Sequence, residues 1–86
     1  MTEKLVSVAI KRNGEIHSGG FKEHWRVRAA LGDADPYAKN RTDENGFLTS
    51  EGRFVGRWEA GDIAALAGQI SRPMGRELLS ADIDKW

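Results

Sequence analysis

The sequence predicts an α+β domain, a small antiparallel sheet of two hairpins with two helices on one face, and three observations lead there. An Asn-Gly pair follows an apolar run, a second pair of short β-prone runs flanks Ser50-Glu51-Gly52, and each hairpin precedes a stretch of helical spacing. At 86 residues the chain fits a single domain, 1–86.

Leu5, Val6, Val8 and Ile10 lead to Arg12-Asn13-Gly14, so strands are expected near 4–11 and 15–18 around a tight turn. Gly19-Gly20 ends the second strand. From Phe21 to Leu31 there is no glycine or proline, and Phe21, Trp25 and Ala29 recur every four residues, which predicts a helix over 21–31 with those three on one face. Gly32 suits its end, and Asp33 to Asn45, with Pro36 and Asn40, reads as a loop. Gly46–Val55 gives the second hairpin, with Phe47 and Phe54 expected to share one core. Ile63, Leu66, Ala67 and Ile70 stand at i, i+3, i+4 and i+7, predicting a helix over 58–69 with Leu66 on its buried stripe. Beyond Pro73 and Gly75, a helical turn at Glu77-Leu78-Leu79 and a tail pinned by Leu78, Leu79, Ile83 and Trp86 are expected.

Thirteen basic residues balance thirteen acidic ones, which argues against both a polybasic nucleic-acid binder and an acidic nucleic-acid mimic. The absence of cysteine excludes disulfides and thiolate metal sites and fits a reducing cytoplasm, and no apolar run is long enough for a membrane span.

The search for chemistry returns little. His17 and His24 are the only imidazoles, and no serine near them completes a nucleophile–base pair, so packing or surface roles are expected for both. No catalytic residue, metal site or cofactor is expected. Gly14 to Gly20 is glycine-rich but lacks the order of a phosphate-binding loop, and turn chemistry explains it. Lys11, Arg12, Lys22, Arg26 and Arg28 cluster in the first third, while Arg53, Arg57, Arg72 and Arg76 follow with Phe54 and Trp58 nearby. Direct contact with nucleic acid therefore stays open. Three tryptophans in so short a chain are many, and Trp25 and Trp58 divide between core and interface roles.

The segment Gly46-Phe47-Leu48-Thr49-Ser50-Glu51-Gly52-Arg53-Phe54-Val55-Gly56-Arg57-Trp58-Glu59-Ala60, continued by Ile63-Ala64 and Ala67-Gly68-Gln69, resembles a pattern shared by small bacteriophage and prophage proteins. The ending Leu79-Ser80, Asp82 and Trp86 is similar too. Trp58 departs from the pattern, which has a charged residue there. The resemblance implies a phage or mobile-element protein, and small proteins of that class include anti-defence factors of the anti-CRISPR type. The expectation is thus a non-enzymatic inhibitor that binds a host protein or nucleoprotein complex through Arg53, Arg57 and Trp58 with the 33–45 loop. A small nucleic-acid-binding accessory protein is the alternative.

Overall fold

Asn13 and Gly14 both hold positive φ, 51° and 82°, the backbone pair that a two-residue hairpin turn requires. In the computed structural model, which describes residues 3–38, 43–70 and 78–86, this turn folds β1 (Leu5–Arg12) onto β2 (Glu15–His17). A second turn, with Gly52 at φ 79°, joins β3 (Asp43–Thr49) to β4 (Phe54–Gly56). Pairing of β1 with β3 merges the hairpins into one antiparallel sheet of order β2-β1-β3-β4.

The strand β3 starts at Asp43, earlier than the sequence suggested. Eight-residue β1 offers partners out to its end, so Ile10, Lys11 and Arg12 stand opposite Asn45, Glu44 and Asp43 and draw those residues out of the loop.

Register decides which side chains share a face. Val8, Phe47 and Val55 are successive cross-strand neighbours, and all three are buried. They form one cluster with Leu5 and Ile10, with Val27 of α1 (His24–Ala30), and with Ala60, Ile63 and Ala64 of α2 (Arg57–Leu66). Both helices therefore pack on this face. Phe54 pairs with Leu48 on the other face, so it does not share the core of Phe47 as expected. Its ring lies instead over Gly46, where an added Cβ would meet the Val55 carbonyl oxygen and a Phe54 ring carbon at 2.5 Å. Only glycine permits that approach.

Helix α1 is shorter than the 21–31 expected and turned relative to it. The Phe21 carbonyl accepts the Val8 N–H at 2.9 Å, which ties Phe21 to the β1 edge beyond the end of β2. With Glu23 extended at the helix entry, the buried face becomes His24, Val27 and Arg28 rather than Phe21, Trp25 and Ala29. Two of these are polar, and both are satisfied by carbonyls: His24 Nε2 lies 2.8 Å from Gly46 O, and Arg28 Nε donates to Pro36 O at 2.6 Å.

Helix α2 also stops short, at Leu66. Gly68 at φ 72° reverses the chain, its N–H bonding to Ala65 O at 3.2 Å and the Gln69 N–H to Ala64 O at 2.8 Å. These two bonds make a Schellman cap. The stripe facing the core is Ala60, Ile63 and Ala64. Leu66 is 83% exposed, which overturns its expected place in the core, and Ile70 is buried from beyond the cap.

The cap delivers Gln69 into the interior. Its Oε1 accepts the Leu5 N–H at 2.8 Å and its Nε2 donates to the Leu5 carbonyl at 2.7 Å. Its own carbonyl accepts the N–H groups of Asp84 at 2.9 Å and Lys85 at 3.2 Å. One residue thereby joins the start of β1, the end of α2 and the tail. In the tail Leu78 and Ile83 are buried and Trp86 packs beside Phe47, but Leu79 is exposed, against expectation. The helical turn expected at Glu77-Leu78-Leu79 is not found at Leu78 and Leu79; a 3-10 turn follows instead over Ser80–Asp82, where the Asp82 carboxylate accepts the N–H of an extended Leu79 at 2.8 Å. Residues Pro73, Gly75 and Glu77 of the expected break lie outside the described residues, as do Arg72, Arg76 and Asn40.

Two measurements check this arrangement. Gln69→Ala removes both partners of the Leu5 peptide, at about 1–3 kcal/mol for each buried group left without one, so the urea midpoint should fall sharply. Ile63→Ala should cost about 2–5 kcal/mol, whereas Leu66→Ala should stay within about 0.5 kcal/mol of wild type. Equal losses at Ile63 and Leu66 would contradict the orientation of α2.

Candidate functional site

Arg53 owes its position to Thr49. The Thr49 hydroxyl accepts the N–H groups of Glu51 and Arg53, both at 3.2 Å, and holds the tight turn at the β3–β4 junction. The Arg53 guanidinium forks onto Glu3, Nε to Oε2 at 2.9 Å and Nη2 to Oε1 at 2.7 Å, and reaches Glu59 of α2 at 3.3 Å. Its partners are thus Glu3 and Glu59. Hydrogen bonds from Arg53 first, then Thr49, pull the Glu3 carboxyl down to about 2. Arg53 itself is shifted upward by Glu3 and then Glu59, although half of its side chain faces water, where screening weakens such pairs.

Arg57 opens α2 and its carbonyl accepts the Leu78 N–H at 3.2 Å. Trp58, the next residue, is 61% exposed. It shares the outer side of α2 with Asp62 and, further along, Leu66, so Trp58 has an interface role open to it and no core role.

The loop is anchored elsewhere. Arg12 at the end of β1 spans two carboxylates, binding Asp33 through Nη1 at 2.9 Å and Nη2 at 2.8 Å, and Asp43 through Nε at 2.6 Å and Nη2 at 3.0 Å. This planar fork holds the Asp33 carboxyl below its ordinary range and ties both ends of the loop to the sheet. Asp43 and Thr49 are the two ends of β3, separated by roughly 20 Å of extended chain. Arg53 and the described part of the loop therefore stand at opposite ends of the strand. Arg57 follows Gly56, which pairs with Gly46, and so lies on the loop's side of the turn.

One cluster was not legible beforehand. Trp25 stacks on Tyr37 of the loop with ring centroids 5.1 Å apart and planes 20° from parallel, and the Arg26 guanidinium lies 4.6 Å from the Trp25 ring. Glu23 holds both, accepting Trp25 Nε1–H at 2.9 Å and Arg26 Nε–H at 3.0 Å. Tyr37 is 72% exposed. Periodicity in α1 gave no sign of a partner twelve residues away.

The two histidines sit in different surroundings. His17 lies 3.7 Å from Glu15, and His24 sits edge-on to Phe47 against the Gly46 carbonyl. Burial pushes the His24 imidazole below 6.5; the Gly46 hydrogen bond opposes this, and the charges of Arg57 and Arg28 add to it. No group of three or more potential metal ligands occurs among the described residues, and no described helix is long and apolar enough to cross a membrane.

The depressed histidine has a pH consequence of definite sign. The unfolded chain takes up the proton near 6.5, before the folded one does, so stability is full above that value and falls as pH drops toward the folded pKa. The urea midpoint should decline between pH 7.5 and 5.5, and His24→Gln, which keeps a donor for Gly46, should flatten that decline. An unchanged slope would show that His24 is not its source.

No curated protein and no solved structure matches the chain. The family model described as Phage T4 y16D protein matches residues 6–84, a span that takes in nearly all of β1, the whole of the other strands and helices, and Gln69. The chain belongs to this phage protein family.

Proposed function

We propose that the protein is a non-enzymatic phage accessory protein that acts by stoichiometric binding to a host protein or nucleoprotein complex, as an anti-defence inhibitor of the anti-CRISPR type would. The observation that carries this reading is the outer side of α2, where Trp58 and Leu66 are both left in water. Leaving a tryptophan largely hydrated forgoes the burial that makes it the strongest single contributor to many interfaces.

The charge around Trp58 favours a protein over a phosphate backbone. Arg53 already carries two carboxylates, Glu3 and Glu59, and Asp62 adds another negative group on the helix. A site for nucleic acid would need uncommitted cations here. In this reading Trp58 is the anchor, and Arg53 and Arg57 flank it.

Trp58→Ala should leave the unfolding midpoint nearly unchanged and reduce capture of the partner from phage-host extract at least tenfold, as truncation of an interface anchor does at about 2 kcal/mol or more. Arg53→Gln is the companion variant, because Arg53→Glu would crowd Glu3 and Glu59 with a third carboxylate. Undiminished capture by both variants would place the contact elsewhere. Inhibition at far less than one copy per target would overturn the stoichiometric mechanism, and a salt-dependent shift of DNA or RNA by the protein alone would favour the nucleic-acid alternative.

A further inference from the structure

A carboxylate stands in the middle of the apolar surface that α2 turns to water. Trp58, Asp62 and Leu66 follow one another at four-residue intervals along one side of the helix, opposite the buried Ala60, Ile63 and Ala64. Trp58 is 61% and Leu66 83% exposed, and Asp62 between them is exposed as well. At a rise of about 1.5 Å per residue the three span roughly 12 Å of helix, with Asp62 at the centre. Arg57 at its start is the only basic residue in α2, and the acidic neighbour Glu59 is engaged by Arg53 at 3.3 Å.

Any surface that covers Trp58 and Leu66 together also covers Asp62. Taking a carboxylate out of water without a partner costs more than burying the two apolar side chains returns, so a binding surface has to bring a positive charge to that point. A second copy of the chain cannot do so through α2. In a two-fold contact between antiparallel helices the residue at the centre meets itself: Trp58 would face Leu66 of the other copy in both halves of the contact, and Asp62 would face Asp62. The apolar residues complement one another in such a pair, and the carboxylates repel.

We propose that Asp62 sets the specificity of the α2 surface: it admits a partner protein whose apolar groove carries a lysine or arginine opposite the carboxylate, and it bars a second copy of this chain. Like charges that meet in the wrong pair discriminate as effectively as opposite charges in the right one. That a host partner is taken there rests on the function proposed above; the bar to self-pairing rests on the position of Asp62.

The chain itself serves as the first probe, by sedimentation equilibrium at matched sub-millimolar concentrations. Wild type and Asp62→Lys should each sediment as monomers, and their equimolar mixture should associate roughly tenfold more strongly than either alone. Asp62→Asn, which keeps the shape and drops the charge, should self-associate more than wild type. Trp58→Ala in both chains of the mixture should remove the association. A mixture no more associated than its components, or one indifferent to Trp58→Ala, would overturn the proposal. In capture from phage-host extract, Asp62→Lys should lose the partner and Asp62→Asn should retain part of it, with the urea midpoints of both close to wild type. Loss of capture on Trp58→Ala with full capture by Asp62→Lys would overturn the proposal and spare the α2 surface. Full capture by both variants would remove the surface itself.

Discussion

The two hydrogen bonds between the Gln69 side chain and the Leu5 peptide are the constraint on which the rest of the structure depends. Leu5 stands where the β1–β3 ladder is irregular, with a shift in register between Leu5 and Ser7. A fully buried residue at such a shift needs partners from outside the ladder, since an unpaired interior peptide is costly. The carboxamide supplies a donor and an acceptor in one plane and so imitates a neighbouring strand. To reach Leu5 it must leave α2 abruptly, which is what Gly68 allows, and its carbonyl then faces the tail. Sheet, helix and tail meet through one residue, its side chain on the sheet and its carbonyl on the tail.

Turn chemistry explains most of what the sequence made legible. Asn13-Gly14 and Gly52 mark hairpins because few other residues take those φ values without cost, and the α+β class follows from them with the two helical stretches. Helix rotation was less accessible. In α2 the pattern Ile63, Leu66, Ala67, Ile70 fits a stripe only if the helix continues to Ile70. The cap at Gly68 ends it, and burial then goes to small residues, Ala60 and Ala64, which hydropathy ranks below leucine. In α1 two polar residues, His24 and Arg28, take interior positions because carbonyls of Gly46 and Pro36 are waiting for them. Those acceptors lie on other segments, beyond the reach of local periodicity.

The candidate surfaces divide along the same line. Arg53, Arg57 and Trp58 stand out in sequence by residue type, and of the core and interface roles open to Trp58 its exposure leaves the second. What residue type does not convey is commitment: Arg53 is engaged by Glu3, some fifty residues away in the chain, so a guanidinium that looked available for phosphate is largely spoken for. Arg12 is likewise taken by Asp33 and Asp43. Among the described residues Arg12, Arg26 and Arg53 are each held by carboxylates, so part of the charge balance is local pairing as well as a total.

The contact between Leu5 and Gln69 also sets an order of events during synthesis. Sixty-four residues separate the two, and at roughly 5–20 residues per second the ribosome needs on the order of 3–13 s to pass from one to the other. The first hairpin, whose turn is local, has its pairing available throughout that interval. Its leading peptide does not, because the carboxamide that completes it has yet to be made. The beginning of β1 must wait for α2, and the native state of this small protein is closed from a late residue back onto an early one.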